Sequence, residues 1–310
     1  MNKIYFLGEC MVELRASTPG IMHQSFAGDV YNSAVYLKRC FNAIDTSMVT
    51  AVGKDTLSSA MVAQFEDEGL NTDLVFVHPT KSPGMYLIET DDEGERSFTY
   101  WRSDAAARKV VDFLSDEVLA ALGKGDMFFV SGISLAVIEP ESRDVFWARL
   151  ETLKAKGVVV VFDPNYRPRL WKDESEAKET FEKAFHYCDL AMPGVEDLEV
   201  LYGVSDAQGV IEFCNRFSIN EVVVKNGPAS VITSLNSSVE SHTITPVKNV
   251  VDTTSAGDAF NGAYLGSRLS GMSIDETVRL AAHAAGTVIQ HPGAIAPKVA
   301  FSEAMADIAG

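Results

Sequence analysis

The chain has 310 residues, 46% of them hydrophobic and 22% charged, and a formal net charge of −17. That length and balance suit a globular protein whose core needs no disulfide or metal staple, while the acidity excludes the basic footprint of a nucleic-acid binder. No apolar run approaches the roughly 20 residues of a membrane span, and the first residues lack the apolar stretch of a signal peptide, so no membrane partner and a cytoplasmic location are expected.

Short apolar runs at 4–7, 48–52, 127–130, 158–162, 190–192 and 221–225 predict strands covered on both faces, as in a parallel sheet. Helical patterns at 30–42, 57–68, 140–155, 174–187 and 207–217 lie between them. Two more helices, 256–270 and 273–290, are parted by Ser270-Gly271. The helix at 140–155 carries Pro140 at its start and Gly157 beyond its end, the usual asymmetry of boundary signals. This alternation implies right-handed βαβ units and an α/β, doubly wound, mostly parallel sheet with helices on both faces. With no long linker or repeat, residues 1–310 read as one domain.

One segment breaks the rhythm. Residues 84–90 and 96–102, joined by Asp91-Asp92-Glu93-Gly94-Glu95, predict an antiparallel hairpin. At a period of two, Tyr86 and Ile88 share a face, as do Phe98, Tyr100 and Arg102. Together with residues 10–26, the segment 82–103 reads as a small β lid or as an ordinary edge hairpin. Cys10, Cys40, Cys188 and Cys214 are too scattered for a zinc site and read as buried thiols.

The strongest local signal is Asp252-Thr253-Thr254-Ser255-Ala256-Gly257-Asp258-Ala259-Phe260-Asn261-Gly262-Ala263-Tyr264. Small residues lead into a helix start, whose free N–H groups make an anion site that a phosphate can approach closely. Asp258 in that first turn is either a helix-stabilising carboxylate or a base beside a bound phosphate. Neither a Walker A pattern nor G-x-G-x-x-G occurs, which leaves P-loop and dinucleotide-dependent chemistry without support.

Segment 252–265 resembles the C-terminal signature of the PfkB (ribokinase-like) carbohydrate kinases, and the likeness extends over nearly the whole chain. It implies a ribokinase-like fold, Asp258 as catalytic base, and an anion hole formed by Ser255, Ala256 and Gly257. ATP and Mg2+ are the implied cofactors, with a monovalent cation such as K+ near Asp252 and Thr254, and a homo-oligomer is implied through lid edges. Gly8-Glu9 and Ala27-Gly28-Asp29-Val30-Tyr31-Asn32 resemble the family's substrate region, so Gly28 and Asn32 are expected at the sugar; read alone, they are turn and helix-start residues. Lys225-Asn226-Gly227 resembles a K-x-G element near the nucleotide, placing Lys225 and Gly227 there; read alone, Lys225 is a strand-end lysine. His283 is expected near the adenine by the same likeness, or is a core or surface histidine. The family's N-x-x-E reads Pro193-Gly194-Val195-Glu196 here, keeping Glu196 as the metal candidate without its Asn.

Three further segments resemble the 2-keto-3-deoxygluconate kinases of that family: Gly94-Glu95-Arg96-Ser97-Phe98-Thr99-Tyr100-Trp101-Arg102, Asp163-Pro164-Asn165-Tyr166-Arg167-Pro168-Arg169-Leu170-Trp171, and Ser131-Gly132-Ile133-Ser134-Leu135-Ala136. By that likeness Tyr86, Tyr100, Arg102 and Arg167 contact a sugar acid, and guanidinium is well shaped for its planar carboxylate. Phe98 reads as lid packing and Arg169 as a solvated residue. A fructokinase-like hexose kinase and a non-catalytic sugar sensor are the rival readings.

Overall fold

The computed structural model describes residues 2–18, 20–90 and 96–309. β1 (Lys3–Leu7) is buried, and β2 (Met11–Thr18) and β3 (Ile21–Ala27) follow as an antiparallel pair. α1 (Asp29–Cys40) leads to β4 (Asp45–Val52), which pairs parallel to β1. α2 (Thr56–Asp67) starts where the Asp55 carboxylate accepts from the Ser58 N–H at 2.9 Å, and β5 (Val75–Val77) is a short edge strand. β6 (Met85–Thr90) and β7 (Arg96–Trp101) form the expected hairpin, whose turn, Asp91-Asp92-Glu93-Gly94-Glu95, lies outside the described residues.

The alternation continues through α3 (Asp116–Leu122), β8 (Met127–Ser131), α4 (Gly132–Val137), α5 (Arg143–Ala155), β9 (Val159–Asp163) and α6 (Glu174–Tyr187). It then runs through β10 (Leu190–Ala191), α7 (Val195–Tyr202), α8 (Ala207–Cys214) and β11 (Glu221–Asn226). β12 (Ser230–Leu235) and β13 (Ser238–Thr243) add an antiparallel edge, and α9 (Ala256–Leu269), α10 (Ile274–Val288) and α11 (Lys298–Ala309) follow. Pro140–Ser142 is a separate 3-10 turn before α5 rather than its first turn.

Among the described residues, nine strands order as β13-β12-β11-β10-β9-β8-β1-β4-β5, and four form a second sheet, β3-β2-β6-β7. From β11 to β5 every pairing in the larger sheet is parallel. Tyr5, Leu7, Phe128, Val130, Val160 and Phe162 pack on one face, and Ile4, Phe6, Phe129 and Val161 on the other. Period-two alternation thus divides continuous apolar runs between two cores, and each fully buried side chain contributes about 1.5–3 kcal/mol. The chain belongs to the α/β class with a doubly wound, mostly parallel sheet. No helix among the described residues is long and apolar enough to cross a membrane.

Two backbone contacts set the helices against the carboxyl ends of the strands, where open α/β sheets bind ligands. A Cβ on Gly262 would lie 2.3 Å from the Ser33 carbonyl oxygen and 2.7 Å from the Leu37 nitrogen, so α9 and α1 touch backbone to backbone. A Cβ on Gly132 would lie 1.9 Å from the Pro164 carbonyl oxygen, which holds the start of α4 against the loop after β9. In the second sheet, Glu13 lies beside Tyr86 and Ser25, and Tyr86 beside Tyr100, so these four share a face.

Candidate active site

α9 begins from an unusual residue. Ser255 adopts the left-handed conformation, φ 66°, which a non-glycine residue keeps only where its surroundings enforce it. Its hydroxyl donates to Asp258 Oδ2 at 2.9 Å, and Asn32 Nδ2 donates to the same oxygen at 2.8 Å. Oδ1 of Asp258 takes no hydrogen bond among the described residues, which leaves it open to accept one from a ligand. Burial first, and then the neighbouring Asp29 charge, push the Asp258 carboxyl up to about 7, against the two hydrogen bonds. Asn32, expected at the sugar, also accepts from the Gly28 N–H at 3.3 Å, so its amide is engaged with the base and the helix start. A Cβ on Gly28 would sit 2.3 Å from the Glu9 carbonyl oxygen; the glycine admits that strand end.

Beside the helix start stands Lys225 at the end of β11. Its Nζ donates to Asp163 Oδ2 at 2.9 Å and to Asn261 Oδ1 at 3.3 Å, while Asn261 Nδ2 donates to Asp163 at 2.6 Å. A Cβ on Gly257 would lie 3.8 Å from that ammonium, so Ser255, Ala256, Gly257 and Lys225 form one cradle at the start of α9, with helix N–H groups and an ammonium beside it. Gly227, φ 55°, supplies the turn into β12.

The loop after β9 is pinned by Asn165, φ 34°, whose amide donates to Asp29 at 2.9 Å. Arg167 follows, 56% exposed, 3.9 Å from Asp197 and hydrogen-bonded to the Tyr166 carbonyl at 2.9 Å. Asp197 accepts from the N–H groups of Tyr166 and Gly194 at 2.8 and 3.3 Å, and burial followed by the Asp163 charge pushes its carboxyl upward. Glu196 is exposed in the first turn of α7, and the Pro193 carbonyl accepts from the Lys225 N–H at 2.9 Å.

The second sheet brings its own groups. Arg102 pairs with the buried carboxylate of Glu9. The Tyr86 hydroxyl donates to Glu13, which also accepts from Ser25 at 2.9 Å, and the Tyr86 ring stacks on Tyr100 with centroids 5.7 Å apart. Tyr100 and Phe98 remain exposed, their rings stacked 6.3 Å apart. The second sheet thus reaches the base in steps: Arg102 to Glu9, Glu9 to Gly28, Gly28 to Asn32, and Asn32 to Asp258.

Against known families, residues 1–300 match the model described as pfkB family carbohydrate kinase. The chain belongs to that family. A 2-dehydro-3-deoxygluconokinase of Haemophilus influenzae is 38% identical over 97% of this chain and 98% of its own length. A fructokinase of Salmonella typhimurium is 29% identical over 89% of this chain and 87% of its own. Among solved structures, a fructokinase with bound ATP from Xylella fastidiosa superposes with a TM-score of 0.84 at 22% identity, covering 99% of this chain and 97% of that one. As a PfkB carbohydrate kinase the chain is an enzyme that moves a phosphoryl group from a nucleotide to a sugar.

His283 lines a cavity of about 690 Å³ bounded by Thr243, Pro246, Val247, Val278 and Gly286, with its Nε2 2.9 Å from the Ala304 carbonyl. Just beyond α10, the Ile289 carbonyl accepts from the N–H groups of Val251 and Asp252 at 2.8 and 3.1 Å, which ties this wall to the segment entering the cradle. Asp252 in turn accepts from the Thr254 and Gly293 N–H groups at 3.0 and 2.9 Å. Glu9, Glu13, Asp29, Asp163, Asp197 and Asn261 escaped the sequence reading. Glu9, Asp29, Asp163 and Asn261 lie inside the motifs named above, and for Glu9 and Asp163 a polar residue at the end of an apolar run was the available signal.

Proposed function

We propose that the chain transfers the γ-phosphoryl group of ATP to the terminal (6-) hydroxyl of 2-keto-3-deoxygluconate, the sugar acid otherwise called 2-dehydro-3-deoxygluconate, giving 2-keto-3-deoxy-6-phosphogluconate. The observation that carries it is Asp258, whose two protein donors occupy one oxygen while the other stays open beside the cradle of Ser255, Ala256, Gly257 and Lys225. The open oxygen accepts the proton of the attacking hydroxyl. Helix N–H groups and the Lys225 ammonium hold the charge of the phosphoryl group in flight. The adenine occupies the cavity beside His283. The exposed Glu196 carboxylate is a hard oxygen donor that suits a hydrated Mg2+, which adds positive charge at the phosphates. A monovalent cation such as K+ beside Asp252 and Thr254 belongs to the same proposal; unchanged turnover with Na+ or choline in its place would remove it.

The acid substrate is supported by Arg167 and Arg102, and by the greater likeness to a 2-dehydro-3-deoxygluconokinase than to a fructokinase. The Glu9 partner of Arg102 favours the second reading, since a neutral pair suits a neutral hexose. Turnover of 2-keto-3-deoxygluconate against fructose and ribose tests both. Arg167→Leu is expected to raise KM for the sugar acid by about 10- to 100-fold, the worth of one charge-assisted hydrogen bond, and to leave fructose unaffected. Faster turnover of fructose by the wild type would sink the acid reading.

In this proposal residues 1–310 act as a single cytoplasmic kinase domain, with the second sheet closing as a lid that keeps water from the phosphoryl group. Met22 and Trp101 stand exposed on that sheet, 56% and 54%, and we place a second copy against them as a homo-oligomer. Light scattering that returned the monomer mass at micromolar concentration would exclude it.

A further inference from the structure

Glu9 is 3% exposed, in the turn after β1, and its two oxygens have different fates. Oε2 pairs with Arg102; Oε1 has no hydrogen-bond partner among the described residues. Gly84 packs directly against it, since a Cβ there would lie 2.3 Å from Oε1. Leaving a buried carboxylate oxygen bare costs about 1–3 kcal/mol or more, and a proton on that oxygen relieves the cost. The charged groups around Glu9 are Arg102 after β7, Arg108 in the 3-10 segment Ala106–Phe113, and Asp29 at the start of α1, with the Cys10 thiol beside it in sequence. Burial pushes the carboxyl above its ordinary range, Arg102 and Arg108 pull it back, and Asp29 adds to the rise.

We propose that Glu9 determines the preference between acid and neutral sugars: it takes a proton when Arg102 receives a substrate carboxylate, and neutralises Arg102 when no carboxylate is there. This rests on the sugar-acid reading above. The physics is a competition of like charges. One guanidinium serves Glu9 in the free protein, and a second carboxylate beside it raises the cost of keeping Glu9 ionised. The proton comes from solvent to Oε1, the oxygen without a partner, and Arg102 is left as an uncompensated cation for the substrate. A neutral hexose brings no second charge and calls for no proton.

The measurement is calorimetric binding of 2-keto-3-deoxygluconate to the full chain, from pH 6 to 9, in two buffers of different ionisation heat. It is made in the Asp258→Asn background, so that the base does not titrate and no turnover occurs. Uptake of close to one proton is expected above the pKa of Glu9, with Kd weakening by about tenfold per pH unit there. Glu9→Gln, which keeps a hydrogen-bond acceptor for Arg102, is expected to abolish both effects. Binding of the sugar acid without proton uptake, or a Glu9→Gln variant with the same pH dependence, overturns the proposal and leaves the substrate reading standing. Turnover of fructose by the wild type with no binding of the acid overturns both.

Discussion

Asp258→Asn is expected to lower kcat by about 10²- to 10⁴-fold, the usual worth of a positioned general base. The amide keeps the size of the carboxylate and can still accept from Asn32 and Ser255, so what disappears is the oxygen able to take a proton. Substrate binding should change far less than turnover, since the base acts on a proton that moves only in the transition state. The pH profile gives an independent check. Burial and Asp29 raise Asp258 to about 7, and a proposed base works only in its ionised form. Wild-type kcat at saturating sugar acid, which the pH dependence of binding does not enter, should therefore climb with pH through about 7 and be lost below it, by about tenfold per pH unit at the acid end. A variant that keeps a tenth of the wild-type kcat, or a wild-type profile flat between pH 6 and 8, would remove Asp258 from the role of base.

Lys225→Met is expected to have the next largest effect, and on two quantities. In the proposed reaction the ammonium stands beside the charge that accumulates on the phosphoryl group, and losing one such donor costs about 10²- to 10³-fold in kcat. Its removal also leaves Asp163, 3% exposed, without its ammonium partner. Breaking a buried pair from one side costs about 3–5 kcal/mol, and the bond from Asn261 at 2.6 Å keeps the loss at the lower end. A thermal melt of the variant should fall by several degrees. Wild-type turnover in a less stable protein would mean that Lys225 serves the fold alone.

The central sheet was legible because its strands are buried on both faces and therefore read as unbroken apolar runs. Each of the six expected strands overlaps an observed one, with bounds that differ by at most three residues. β12 and β13 were not legible: β13 reads Ser-Val-Glu-Ser-His-Thr, is almost wholly exposed, and owes its shape to ladder bonds rather than to burial. α3 and α4 have seven and six residues, too short for a helical period to show. In the site, the helix start before Asp258 could be read from its run of small residues, because those residues are consecutive, while the roles proposed for them came from the resemblance to carbohydrate kinases. The partners of those residues could not. Asn32 meets Asp258 across 226 positions, and Glu9 meets Arg102 across 93, contacts that only the packing of α1 on α9 and of the second sheet on β1 creates.

That packing has a consequence for how the site is assembled. Asn32 belongs to α1 and Asp258 to α9, so in the proposed reaction the base is aimed by a side chain 226 positions away in sequence. The two helices meet without intervening side chains, at Gly262. A chain cut between the two helices and separated loses the hydrogen bond from Asn32 to Asp258, so the orientation of that carboxylate is withheld until α1 and α9 have docked.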